Sequence, residues 1–227
     1  MEKTRKPGGF IYLGGWAAWA LAAVAIISGI IIIVAGLPHT GAGPEEVVHF
    51  YATNTKSLAI SSAITPVCWL FGIIFGVAVV RACRLTETEK NEGWSIVGLG
   101  GLIMQCCMFG VLIAVRAALD VNASIKSTDQ GLAALHDGVF TINGAFIAIN
   151  MLGFTIAGRK AGLLSPVQSV IGYAGALFLF LSAMLSSVIL REQWLAELTL
   201  GAGWLFWIIW VIAYGLALIR FSRLYKM

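Results

Sequence analysis

Charge is what this chain has least of. Asp, Glu, Lys and Arg make up 11% of its 227 residues, against about 25% in an ordinary soluble domain. With 59% hydrophobic residues and a mean hydropathy of +0.89, it has too few polar groups to cover a water-facing surface. Lipid must be its solvent. No basic cluster interleaved with aromatics occurs, which sets nucleic acid aside as a partner. The net charge of +4 sits instead at the ends and in short polar stretches, a distribution suited to an anionic membrane surface. Histidine numbers three, and none stands deep in an apolar run, where transmembrane haem normally draws its axial ligands. No nucleotide-binding loop, nucleophile elbow or Cys/His metal spacing occurs. No catalytic residue, cofactor or metal is therefore assigned. Cys68, Cys83, Cys106 and Cys107 form no CxxC pair, and even the adjacent Cys106 and Cys107 fit small apolar packing residues better than a redox pair.

What the chain does have is long apolar runs. Six approach the roughly 20 residues that a spanning helix needs: Ile11–Gly36, Leu58–Cys83, Trp94–Leu119, His136–Gly158, Pro166–Leu190 and Leu198–Arg220. The first exceeds the roughly 7–15 apolar residues of a cleaved signal peptide, so it reads as a retained helix. The expected fold is all-α: one polytopic membrane domain over residues 1–227, a bundle of six transmembrane helices. Between the first two runs, PEEVVHFYATNTKS predicts a short helix. Pro44 suits its first turn and Glu45 and Glu46 its dipole, with Val47, Val48, Phe50 and Tyr51 able to lie against the membrane surface.

Lys and Arg alternate between the connections. Lys3, Arg5, Lys6, Arg81, Arg84, Lys90, Arg159, Lys160, Arg220, Arg223 and Lys226 fall on one side, against Lys56, Lys126, Arg191 and Arg116 on the other. The positive-inside bias then places both termini in the cytoplasm. Asn122-Ala-Ser fits a glycosylation sequon in an outer connection, a common triplet.

Polar residues inside apolar helices are costly in lipid and normally face other helices or a cavity. In the fourth run His136, Asn143 and Asn150 recur every seven residues and so share one stripe. In the third, Gln105 lies below Arg116 on nearly one face, and Asp120 stands four residues beyond, within pairing reach of Arg116. Depth then gathers Arg116, Asp120, His136 and Asp137 near the outer surface, with Asp137 in the first turn of its helix. Such a cluster can hold an anionic or metal ligand or relay protons. It can equally lock two helices in register, and that is the reading favoured. Gln105, Asn143 and Asn150 form the deeper intramembrane polar set. Ser61, Ser62 and Thr65 precede Pro66, which predicts a kink in the second helix. Trp207, Trp210 and Tyr214 share one face of the sixth helix with Trp204 beside it. They suit packing, or a grip on a lipid tail, pigment or neighbouring subunit.

The segments LGGWAAWALAA, LHDGVFTINGAFIAINMLGFTIAGRKAGLLSPVQSVIGYAG and WLFWIIWVIAYGLALIR together resemble bacterial, especially actinobacterial, six-helix integral membrane proteins grouped as domains of unknown function. The resemblance covers most of the chain and implies the six-helix fold and a place in a bacterial inner (plasma) membrane. It brings no activity and no catalytic residues.

Three functional classes follow. Foremost is a non-catalytic accessory or scaffold subunit, with membrane lipids and other membrane subunits or a second copy as partners. Next comes a carrier or binding protein for a lipid or small apolar molecule, and last an intramembrane enzyme or redox subunit. Accessible amides at Asn143 and Asn150 would favour the carrier; amides consumed by neighbouring helices would favour the subunit.

Overall fold

The computed structural model describes residues 8–90, 92–124, 130–189, 191 and 193–224. Lys3, Arg5, Lys6, Lys126 and Lys226 lie outside these, as do Leu190 and the side chain of Asn122. Six long helices carry the fold: α1 (Gly8–Val34), α3 (Thr55–Lys90), α4 (Trp94–Ser124), α5 (Gln130–Lys160), α6 (Pro166–Met184) and α9 (Ala202–Leu224). Shorter pieces are α2 (Pro44–Thr53), α7 (Ser186–Ile189) and α8 (Gln193–Ala196), followed by a π-helical turn, Glu197–Gly201. Six helices are long and apolar enough to cross a membrane, and among the described residues there is no strand. The chain is an all-α, multi-pass integral membrane protein. Six crossings leave Gly8 and Leu224 at one end of the bundle, here the terminal end, and α2 at the other.

Several helices differ in length from the sequence expectation. α4 and α5 run on to Ser124 and start at Gln130, because polar residues at a helix end in the interface need not stop the backbone. Asp137 therefore sits in the second turn of α5, not the first. α6 instead stops early: Leu185 turns out of the helix at φ −97°, ψ 17°, although the residues beyond are still apolar. Nineteen residues span about 28 Å, close to the roughly 30 Å hydrocarbon core. α3 continues through Pro66. There, Ser28 on α1 bonds the Ser61 hydroxyl at 2.8 Å, and Thr65 bonds back to Ser61 O at 2.8 Å.

Small residues bring the helices together. A Cβ at Gly101 of α4 would stand 2.5 Å from the Asn150 nitrogen of α5, so this crossing requires a bare backbone. Beside it the buried Asn150 Nδ2 donates to Gly98 O at 2.9 Å. Gly15 of α1 meets Gly215 of α9 in the same way, with 2.7 Å between a Cβ on the first and the carbonyl oxygen of the second. At the terminal end, Glu87 accepts from Ser95 N at 2.6 Å and from the Ser95 hydroxyl, capping the start of α4. Lys160 closes the end of α5 onto Glu92 at 2.6 Å.

The half of the bundle nearer the terminal end is filled by an aromatic plug. Phe75 of α3 meets Phe154 of α5 and Trp210 and Tyr214 of α9 edge-on, and all four are almost wholly buried. Trp210 Nε1 donates to Thr155 Oγ1 at 3.0 Å and the Tyr214 hydroxyl to Phe154 O at 2.9 Å. Both polar handles are thus satisfied, as burial requires.

At the opposite end α2 folds down onto the bundle. Phe50 and Tyr51 are each 3% exposed and pack with Ile32, Leu58, Val115 and Leu119. Of the residues that suit a membrane surface, Phe50 and Tyr51 are covered instead by protein, while Val47 and Val48 are half-buried. Pairing these two rings with α1, α3 and α4 removes them from both water and headgroups.

Candidate functional site: a cavity between the helices

Above the aromatic plug the helices do not close. A cavity of about 470 Å³ lies among α1, α3, α4, α5 and α9, with Val47 and Tyr51 of α2 over its outer end, within the range of small-molecule sites. Its walls are mostly apolar: α1 contributes Leu21, Ala25 and Ile32, α4 Phe109 and Leu112, and α9 Trp204 and Trp207. The outward-facing α1 residues Ile26, Ile30 and Ile33 also border it while remaining open at their outer surfaces. The space therefore communicates with the lipid-facing side of α1. Trp204 stacks on Phe140 and lies against Phe109 and Trp207, which fixes a stiff aromatic wall on the α5–α9 side.

The polar residues expected to cluster are brought together at the α2 end of this cavity, with a different wiring. Arg116 Nε donates to His136 Nε2 at 3.1 Å. A guanidinium only donates, so His136 accepts at Nε2 and carries its hydrogen on Nδ1. That nitrogen faces Asp137 Oδ1 at 3.0 Å, and Asp137 Oδ2 accepts from Gly41 N at 2.9 Å. One directed chain thus ties α4 to α5 and α5 to the loop before α2. The expected helix-internal pairing of Arg116 with Asp120 does not form: Asp120 Oδ1 is buried without a hydrogen-bond partner. Among the described residues no carboxylate lies within ion-pair distance of Arg116. Burial on α2 pushes the Tyr51 phenol up, with the nearby Arg116 guanidinium acting the other way.

Arg116, His136 and Asp137 all border the cavity. Among the described residues lining it, Arg116 is the one fixed cation. His39 borders it too, while His49, Glu45 and Glu46 are exposed on α2. Among the described residues no three His, Cys, Asp or Glu side chains come together as metal ligands would.

The deeper polar residues separate. Asn150 is consumed by the α4–α5 crossing. Asn143 is buried, and neither amide atom has a protein partner; it does not border the cavity. Gln105 does border it, is 4% exposed, and leaves Oε1 without a partner. Sequence reasoning missed Trp69 of α3. It borders the same cavity, and its buried Nε1 also lacks a partner. A lone Trp in an apolar run carries no signal of this kind, because the orphaning depends on what α4 offers opposite.

The aromatic stripe of the sixth spanning helix divides between two tasks. Trp204 and Trp207 border the cavity, whereas Trp210 and Tyr214 belong to the plug beneath it.

Fold and cavity together define a polytopic α-helical membrane protein with an internal apolar chamber and a polar rim. No protein-family model matches this chain, and neither a curated protein nor a solved structure does.

Proposed function

We propose that this protein binds a single-chain amphiphile dissolved in the membrane, with the apolar chain in the cavity and an anionic headgroup at Arg116. The observation that carries this reading is the mostly apolar 470 Å³ cavity rimmed by an arginine with no ionic partner among the described residues. A half-buried guanidinium gains most from a charged acceptor that shares its low-dielectric surroundings. Of the functional classes open from the sequence, this is the carrier or binding protein. Its cavity does not use the amides expected to mark one: Asn150 is consumed at the α4–α5 crossing and Asn143 lies off the cavity, so the reading rests on the rim and the apolar walls instead. An accessory subunit accounts for the packed crossings at Gly101 and Gly15, but it gives the cavity no task.

We further propose that the terminal end faces the cytoplasm and the cavity rim the outer side of an inner membrane. Support comes from Arg81, Arg84, Lys90, Arg159, Lys160, Arg220 and Arg223 at the terminal end, against Lys56, Arg116 and Arg191 at the other.

Native mass spectrometry of the detergent-purified protein with myristate tests the binding reading. Gly29 borders the cavity, and a Cβ there meets nothing within 4 Å, so Gly29→Phe fills the space without disturbing a helix crossing. Myristate adducts on the wild type, reduced at least about tenfold in Gly29→Phe and in Arg116→Gln, are expected. Failure of the wild type to bind, or equal occupancy in Gly29→Phe, overturns the reading.

A further inference from the structure

We propose that the cavity is entered sideways, through a portal between α1 and α9, and takes one chain of a two-chain anionic lipid whose second chain stays in the surrounding membrane. This rests on the binding reading above and extends its ligand class. α1 and α9 run antiparallel and touch in the half nearer the terminal end. There a Cβ on Gly15 would stand 2.7 Å from the Gly215 carbonyl oxygen, and Trp19 Nε1 donates to Ile212 O at 3.0 Å. Fourteen residues further along α1 lies Gly29, close to four full turns on and so on nearly the same face. A Cβ on Gly29 meets nothing within 4 Å. Seven residues before Gly215 on α9, Ile208 borders the cavity. The two helices therefore part towards the α2 end.

The lips of the gap lie on both helices. Ile26, Ile30 and Ile33 border the cavity and are 40%, 54% and 67% exposed, a rise that follows the widening seam. On α9, Leu205 is 61% exposed and stands outside the cavity. Hydrocarbon covers such residues readily, because lipid tails are as apolar as their side chains. The other seams around the cavity carry contacts. Ser28 bonds Ser61 between α1 and α3, Arg116 bonds His136 between α4 and α5, and Phe140 stacks on Trp204 between α5 and α9. Between α3 and α4, Trp69 lies 3.8 Å from where a Cβ on Gly110 would stand. The bond from Gly41 to Asp137 ties down the loop at the α2 end. Among the described residues no hydrogen bond or ring contact joins α1 to α9 at the level of the cavity.

An opening along the side of the bundle decides which amphiphiles fit. A sealed chamber takes a single chain and excludes a lipid with two, since the second would have to be buried as well. A chamber open to hydrocarbon lets a two-chain lipid lay one chain against the apolar wall and leave the other outside, against Leu205 and the outer surfaces of Ile30 and Ile33. Its phosphate then reaches Arg116 at the rim, where a planar guanidinium fork suits a phosphate as well as a carboxylate. Sideways entry also keeps the chain out of water throughout.

Dimyristoyl phosphatidate and 1-myristoyl lysophosphatidate share a phosphate head and one chain, and differ in the second chain alone. Native mass spectrometry of the detergent-purified protein should show a single adduct of either lipid, each displaced by myristate. Both adducts should fall at least about tenfold in Gly29→Phe. A second readout locates the outer chain. On a cysteine-free background, Leu205→Cys at the lip and Leu177→Cys, 60% exposed on α6, are labelled with a maleimide. Dimyristoyl phosphatidate should slow labelling of Leu205→Cys at least about threefold more than lysophosphatidate does, and leave Leu177→Cys unchanged. Binding of myristate without binding of dimyristoyl phosphatidate overturns the portal and leaves the binding reading standing. So does a two-chain adduct that forms beside myristate, or equally in Gly29→Phe, because such a lipid sits on the outer surface. Equal labelling of Leu205→Cys with the two lipids puts the second chain elsewhere and overturns it too. If neither myristate nor either phosphate lipid binds the wild type, both readings fall together.

Discussion

At the scale of single residues, His136 is the hinge of the polar rim, because it both accepts from Arg116 and faces Asp137. Removing Arg116 leaves His136 Nε2 without its donor; removing His136 leaves Arg116 Nε and Asp137 Oδ1 unserved. Arg116→Ala and His136→Ala should each lower unfolding stability by about 1–3 kcal/mol. The double variant should lose less than the sum, with a coupling of about 1–2 kcal/mol. Denaturant unfolding in a mild detergent measures this, and strictly additive losses would show that the bond contributes nothing. The sequence placed these residues at one depth but left open whether Arg116 meets His136 or Asp137. Seven-residue and four-residue spacings fix which face a side chain occupies, not the rotamer by which it reaches across.

At the scale of elements, the α4–α5 pair is set by glycine. Gly101 has no room for a methyl group against the Asn150 nitrogen, whereas its neighbour Gly100 has nothing within 4 Å of where a Cβ would stand. Gly101→Ala should therefore lower the unfolding temperature, with a cost of about 1–3 kcal/mol from forcing the helices apart. Gly100→Ala should leave it unchanged or raise it, since alanine is the better helix former by about 1 kcal/mol. Thermal unfolding of the two variants side by side decides the matter; equal shifts would mean that the crossing tolerates a Cβ. Two neighbouring glycines in one sequence look alike, and only the facing backbone of α5 tells them apart. The same applies to the amides. Asn143 and Asn150 occupy equivalent places in a seven-residue stripe, yet Asn150 meets the Gly98 carbonyl and Asn143 meets no protein partner.

At the scale of the whole molecule, the bundle is dense at one end and hollow at the other. The aromatic plug of Phe75, Phe154, Trp210 and Tyr214 closes the half towards the termini, and the cavity occupies the half towards α2. On the proposed orientation the cavity opens on the outer side. Single cysteines at Glu45 on α2 and Glu89 near the end of α3, both exposed, on a cysteine-free background, should be labelled from opposite faces of the membrane. Glu45→Cys should react with an impermeant maleimide in intact cells and Glu89→Cys only after lysis. The reverse pattern would invert the topology.

The sequence by itself determined the solvent and the architecture. Sparse charge and six apolar runs leave a chain no stable state outside lipid, and in lipid a run of that length satisfies its backbone only as a helix. It also determined that Arg116, His136 and Asp137 share a depth, because depth along a helix is simply residue count. Tertiary structure decided what lies opposite each residue. It covered Phe50 and Tyr51 of α2 with protein, continued α3 through Pro66, ended α6 at Met184, and drew Asp120 away from Arg116. It also left Gln105 and Trp69 unpartnered in the wall of a cavity that no single helix pattern encodes. A cavity is a mismatch between surfaces from six helices, and each helix's own periodicity carries information about one face alone.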